Sequence, residues 1–310
     1  GQIGGDGFAS TAHVATLTRT PVVLVVDVSH ASRSIGAVVH GMATFEPSVQ
    51  IAGVILNKAF SPRHATEVVS AIERTGIPVL GILQRDHGVS ATSRHLGLVP
   101  AEERDEAASA LDRLVEQVSA SIDLDAVIEI ARTAPPLTET AWDPTAHVSR
   151  TATDSPVVAV AAGRAFTFCY AETTELLEAA GCDVVEFDPL TDPNLPDRTA
   201  GLYLGGGFPE VFASELAANT TLLTHVRAAV EAGLPTYAEC AGLLYLCRSL
   251  DGAPMAGVLP LAARMSERLT LGYQQSTVPH DGLTVRTGET YRFHEFHRTT
   301  TDPASGTPGA

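Results

Sequence analysis

The chain has 310 residues, of which 45% are hydrophobic and 18% charged. At roughly 150 residues per domain this points to two domains with sizeable cores, and it excludes intrinsic disorder. Lys plus Arg total 20 against 36 Asp plus Glu, a formal charge of −16, which disfavours nucleic acid and anionic membranes as partners.

Residues 21–28 read PVVLVVDV, 49–56 read VQIAGVIL before Asn57-Lys58, and 77–83 read IPVLGIL. Each is an apolar run of strand length. The intervening segments, Ala31–Phe45 and Arg63–Arg74 after Ser61-Pro62, carry helical signals. Buried strands alternating with helices predict a parallel sheet covered on both faces. From Ala101 to Arg132, apolar residues at helical spacing (Leu111, Leu114, Val115, Val118) sit among charges, which predicts two amphipathic helices. Residues 133–155, with Pro135, Pro136 and Pro144, read as a linker.

A second α/β series follows. Strands are expected at 156–162, 182–187, 200–205 and 234–239, and helices at Thr174–Ala180, Val211–Ala218 and Leu222–Ala232. The tail after His297 carries no element signal. The longest apolar runs fall far below the roughly 18 residues of a membrane helix. Cys169, Cys182, Cys240 and Cys247 form no C-x-x-C pair, which fits a reducing, cytoplasmic compartment. The opening Gly1 predicts a chain that begins partway into something larger.

The strongest chemical signal is TYAECAGLLYL at 236–246. An apolar strand ends at Cys240, small residues follow, and an apolar helix begins. That is a nucleophile elbow with cysteine in place of serine, and its helix N-terminus is expected to lower the thiol pKa and offer N–H groups to an oxyanion. The bland alternative is a buried cysteine packed like alanine. Gly205-Gly206-Gly207-Phe208-Pro209-Glu210 also follows a strand. Three glycines let backbone N–H groups turn toward a carbonyl or oxyanion, although a plain tight turn reads the same way. In Arg292-Phe293-His294-Glu295-Phe296-His297, strand alternation sends His294, Phe296 and Arg292 to one side and Phe293, Glu295 and His297 to the other. One histidine at most therefore faces the cysteine, and a zinc site on this strand is disfavoured.

These motifs, in this order behind a first α/β domain, resemble the cobyrinic (hydrogenobyrinic) acid a,c-diamide synthases. The resemblance covers essentially the whole chain and includes ASTAHVATL–PVVLVVD (9–27), GVILNK (53–58), SRHLGLVPAEE (93–103), LYLGGGFPE, AECAGLLYL and HEFH. It implies two three-layer α/β domains. The first, at 1–132, is P-loop-NTPase-like (dethiobiotin-synthetase-like). The second, at 156–310, is a flavodoxin-like class I glutamine amidotransferase domain. It further implies ATP- and glutamine-dependent amidation of the a and c carboxylates of a corrinoid, with Mg2+ accompanying ATP, and it allows a homodimer. By the same resemblance Cys240 is the nucleophile and His297 its activating base. Gly206, Gly207 and Ala241 supply the oxyanion hole. Asn57 and Asp27 meet the nucleotide, while Arg264, Arg268 and Tyr273 are weaker candidates for substrate carboxylates. Neither Glu239 nor Glu295 is promoted to a third catalytic member on sequence alone.

The chain also departs from the family. Lys58 is its single lysine and follows Asn57, so the family's phosphate loop is expected upstream of Gly1. The carboxyl end is short as well, so both domains are expected to be incomplete. Ala241 stands where the family has Gly, and Gln274-Gln275 and Arg298 depart from its pattern too. Three other readings stay open at this level. They are a sister amidase (cobyric acid synthase or nickel-sirohydrochlorin a,c-diamide synthase), a catalytically impaired glutamine-binding module, and a cysteine hydrolase.

Overall fold

The computed structural model describes residues 5–86, 107–151 and 154–304, which fall into two compact units, one up to Thr140 and one from Ala141 onward. The 93–103 stretch, the start of the 101–132 helical stretch and the last six residues lie outside the described residues.

The first unit runs α1 (Thr11–Thr18), β1 (Val22–Asp27), α2 (Ser34–Phe45), β2 (Ile51–Ala59), α3 (Pro62–Glu73), β3 (Val79–Gln84), α4 (Ala107–Ser121) and α5 (Leu124–Arg132). Its sheet has the order β1-β2-β3, and both pairings are parallel. The strand runs of the sequence reading form because apolar side chains from strands and helices bury together: Val26, Leu56, Val39, Val68 and Ile72 belong to one core. The Ser61 hydroxyl caps α3 by accepting from the His64 N–H, and Pro62 occupies the first turn, where its missing N–H does no harm. At the junction of α4 and α5 the Asp123 N–H donates to Leu80 O at 2.8 Å, fastening these helices to β3. Helix α1 has no counterpart in the expected elements, and β2 runs three residues further than its apolar letters suggest.

The second unit opens with a one-turn 3-10 helix at Pro144–Ala146, inside the expected linker. There the Trp142 ring stacks on His147 with centroids 4.5 Å apart, and its indole N–H donates to Glu175. Then come β4 (Val157–Ala161), α6 (Ala171–Ala179), β5 (Asp183–Phe187), β6 (Thr199–Leu204), α7 (Ala213–Ala218), α8 (Thr220–Glu231), β7 (Thr236–Ala238) and α9 (Ala241–Leu246). The sheet order is β5-β4-β6-β7, all parallel, so in chain order it reads second-first-third-fourth. That is the flavodoxin-like winding, with a topological switch point between the carboxyl ends of β4 and β6, where ligands of open α/β sheets collect. Leu202 and Leu204 of β6, Leu216, Leu222 and Val226 of the following helices, and Tyr245 of α9 share the core.

A second sheet completes this unit: β8 (Cys247–Leu250), β9 (Ala253–Pro254), β10 (Leu259–Thr277) and β11 (Thr290–Asp302), in the order β11-β10-β8-β9. The long β10–β11 hairpin corrects the sequence reading, which left the segment after His297 without structure. Thr299 and Thr300 pair with Met265 and Arg264, so the threonine run extends the strand. Among the described residues no helix is long and apolar enough to cross a membrane.

Candidate active site

Short strand β7 pairs with β6 through Leu202–Thr236, Tyr203–Tyr237 and Leu204–Ala238, which brings the end of β7 beside the Gly205-Gly206-Gly207 loop. Cys240 follows with φ 49° and ψ −109°, a conformation that L residues adopt only when the surroundings enforce it. Three hydrogen bonds do so. The Glu239 N–H donates to Leu204 O at 3.0 Å, and the Gly242 N–H donates to Gly205 O at 3.0 Å and Glu239 O at 2.8 Å. A Cβ on Gly242 would sit 2.2 Å from Leu204 O, so the turn closes this tightly only with glycine there. The result is the sharp strand-to-helix turn of a nucleophile elbow.

Around the sulfur, the N–H groups of Gly207 and Ala241 are directed at Cys240 Sγ. The Gly206 N–H instead donates to Phe168 O at 3.0 Å, and Gly206 O accepts from the Phe168 N–H at 3.1 Å. Two of the three expected oxyanion donors thus converge on the sulfur, and the third holds the loop to the segment after β4. The thiol itself behaves opposite to the sequence expectation. Although Cys240 as a residue is exposed, protein atoms crowd its sulfur on most sides, and this partial burial raises the thiol above its ordinary value. The Gly207 and Ala241 N–H groups pull it down by less, while the carboxylates of Glu210 and Glu239 push it further up. Helix α9, six residues long, supplies too little aligned dipole to reverse this.

His297 lies on β11, opposite Thr270 of β10. Its Nδ1 is 3.0 Å from Thr299 O and its Nε2 3.9 Å from Glu295 Oε1. With Nδ1–H donating to the carbonyl, Nε2 carries the lone pair, the tautomer a general base needs. Among the described residues no hydrogen bond joins His297 to Cys240. The facing pattern matches strand alternation: His294 is with Tyr273 (ring centroids 5.1 Å apart) and Phe296 (6.2 Å), while His297 is with Glu295. Arg264, Arg268 and Tyr273 are all exposed on β10, with Arg268 in the irregular stretch between Met265 and Thr270.

One grouping escaped the sequence reading. The Tyr203 and Tyr237 rings lie face to face, 5.4 Å apart and 8° from parallel, and their hydroxyls reach the two oxygens of Glu239 at 3.3 Å each. Burial and the Glu239 charge push the Tyr203 phenol up to about 12. The available signal was positional: each tyrosine stands just before a strand end, and the two strands are neighbours.

In the first unit, Asp27 and Asn57 are cross-strand partners at the carboxyl edge of the sheet. Asp27 Oδ2 accepts from Lys58 Nζ at 2.6 Å and its Oδ1 from the Ser29 hydroxyl at 2.6 Å, which holds the carboxyl well below the usual carboxylate range. Lys58 sits at φ 62°, where β2 kinks after Leu56. That kink turns the only lysine back toward Asp27, a pairing that sequence reading also missed. Among the described residues no group of three or more His, Cys, Asp or Glu side chains is placed to hold a metal ion.

Residues 157–308 match the family model of the CobB/CobQ-like glutamine amidotransferase domain, and residues 8–99 match that of the CobQ/CobB/MinD/ParA nucleotide binding domain. The chain is 58% identical over 307 residues to the hydrogenobyrinate a,c-diamide synthase of Thermobifida fusca, covering 97% of this chain and 65% of that protein. It is 47% identical to the hydrogenobyrinate a,c-diamide synthase of Streptomyces coelicolor, with 99% and 69% covered. Against the cobyrinate a,c-diamide synthase of a Synechococcus strain the identity is 39%, with 96% and 66% covered. The chain thus spans about two thirds of the length of the curated relatives it matches.

Proposed function

The chain belongs to the family of hydrogenobyrinate and cobyrinate a,c-diamide synthases, and on that premise we propose that it releases ammonia from glutamine at Cys240 for ATP-dependent amidation of a corrinoid's a and c carboxylates. In this reading Cys240 Sγ attacks the glutamine amide carbon. The Gly207 and Ala241 N–H groups take up the developing oxyanion, and the thiol proton passes through His297 to the departing ammonia. Water then hydrolyses the thioester to glutamate. Because burial and two carboxylates keep the resting thiol protonated, the reaction needs a base, and the Nε2 lone pair of His297 is the candidate.

The ammonia attacks a substrate carboxylate already converted by ATP to an acyl phosphate, displacing phosphate. Asp27 and Asn57 share one sheet edge of the nucleotide-binding domain, which supports Asn57 as reader of the adenine edge. Mg2+ would accompany ATP, bound mainly through the nucleotide phosphates, and no ligand to it is assigned within this chain. The exposed guanidiniums of Arg264 and Arg268, on the same strand as Tyr273, suit a substrate bearing several carboxylates. The names of the more similar relatives favour metal-free hydrogenobyrinic acid as that substrate. The four free cysteines fit a reducing, cytoplasmic setting.

The observation that carries the reading is the strained elbow whose sulfur receives two backbone N–H groups. Its test is intact-mass analysis after incubation with an electrophilic glutamine analogue, with Cys240→Ala as control. One adduct mapped to Cys240 is the expected result. No adduct, or equal labelling of Cys169, Cys182 and Cys247, overturns the assignment.

A further inference from the structure

We propose that Glu239, clamped between the phenols of Tyr203 and Tyr237, is a positioning residue that locks the turn carrying Cys240 and fixes a negative charge beside its thiol. This deepens the glutaminase reading and rests on it.

Glu239 is held at four points. Its N–H is bonded to Leu204 O, its carbonyl accepts from the Gly242 N–H, and each carboxylate oxygen accepts from a different tyrosine. The two phenols come from adjacent parallel strands and are cross-strand partners, so their separation is set by the sheet and not by side-chain flexibility. Their stacked rings form a rigid wall, and both hydroxyls point at the one residue that precedes the strained nucleophile. A carboxylate needed only for solubility would have no use for two phenols, one of them from the buried ring of Tyr203. Here its rotamer, its charge and the φ of the next residue are fixed together.

The chemical consequence concerns timing. The groups acting on the Cys240 sulfur are the Gly207 and Ala241 N–H groups, which favour thiolate, and the Glu239 and Glu210 carboxylates, which oppose it. Facing the tyrosines are Thr173, Cys169 and Tyr170. Glu239 is the charge placed next to the nucleophile in the chain and clamped by both phenols, and it adds to burial and to Glu210 in keeping the thiol protonated until glutamine binds and a base takes the proton. This guards an exposed cysteine against adventitious oxidation and alkylation.

The test uses the full chain and the pH dependence of iodoacetamide alkylation at Cys240, followed by peptide mapping, so that it does not depend on glutamine recognition. Glu239→Gln keeps the shape and one acceptor oxygen but removes the charge. The alkylation midpoint is expected to move to lower pH, with a roughly three- to tenfold faster reaction at neutral pH, the effect of one unit charge beside a thiolate at protein-surface dielectric. The double substitution Tyr203→Phe with Tyr237→Phe keeps the charge but releases it to solvent, and is expected to shift the midpoint the same way by less. It also keeps the test decisive should Glu239→Gln unfold. A midpoint that stays put or rises in the folded variants overturns the proposal. If wild-type Cys240 refuses the glutamine analogue while the alkylation shifts appear, the glutaminase reading fails and the clamp stands. If the analogue labels Cys240 and the shifts are absent, the clamp fails alone.

Discussion

Gly207→Ala is the sharpest probe of the site. A Cβ built on Gly207 lies 2.1 Å from Ala165 O and 2.9 Å from both Ala165 C and the Phe166 Cα, all backbone atoms that no rotamer change can move. Relief to an ordinary contact requires a displacement of about 1 Å, and the loop is the part that must yield, because Ala165 and Phe166 belong to the buried core. Overpacking of this kind costs about 1–3 kcal/mol, a fall in Tm of about 2–4 °C per kcal/mol for a unit of this size. The larger effect is local. The Gly207 N–H is directed at Cys240 Sγ, and an oxyanion donor displaced by that much loses most of a contribution worth about 100- to 1000-fold in rate. The assay compares two second-order rate constants for Cys240. One is for an electrophilic ketone analogue of glutamine, whose attack generates an oxyanion, and the other is for iodoacetamide, whose displacement does not. Gly207→Ala should slow both, the second because the thiolate loses a donor, and should slow the first at least tenfold more than the second. Equal slowing of both, or no slowing, refutes the role of this N–H as an oxyanion donor.

Three further outcomes follow from the same structure. The Asp27 carboxyl, held down first by Lys58 and then by Ser29, should titrate well below 3.8 in a carbon-13 NMR experiment, and Lys58→Ala should move it upward. Its contribution to stability is present above the ordinary carboxylate range and is lost only as pH falls through the depressed value, so melting points at pH 4 and pH 7 should differ little on its account. The Tyr203 phenol, pushed up to about 12, should ionise later than the exposed tyrosines when followed at 295 nm, and only the fully buried Tyr245, raised further still by burial, should come after it. Because the unfolded chain ionises near 10 and the folded one does not, the second unit should lose stability as pH rises above 10. Among the cysteines, Cys247 is fully buried and its thiol is pushed to about 11 by burial, so alkylation at pH 8 should spare it while modifying exposed Cys169.

Much of the fold was legible because parallel strands buried on both faces announce themselves as unbroken apolar runs. The runs at 21–28 and 77–83 sit within two residues of β1 and β3. Where burial is one-sided or the pairing distant, the letters say less. Strand β10 passes through Gln274-Gln275-Ser276, and only its hairpin partner β11, beginning at Thr290, gives those residues a ladder, while Ser266-Glu267-Arg268 fall in the irregular stretch between the paired segments. Helix α1 was missed because its Thr-rich stretch, three of eight residues with a valine among them, favours extended structure. The Ser10 cap and a left-handed Arg19 at its end define it nonetheless.

The site divides along the same line. Cys240 and its glycine-rich neighbour could be read locally, since an elbow is a matter of a strand end, small residues and a helix start within about a dozen positions. The sign of the thiol's shift could not. A helix N-terminus beside a cysteine argues for a lowered pKa, and that inference holds only when the helix is long and the sulfur wet. Here α9 has six residues, protein atoms crowd the sulfur, and Glu239 and Glu210 stand close. The tyrosines that hold Glu239 come from positions 36 residues before it and two residues before it, a pairing created by the β6–β7 register alone. A nucleophile can therefore be found from sequence by its turn, whereas its resting protonation state is set by side chains that only the sheet brings together.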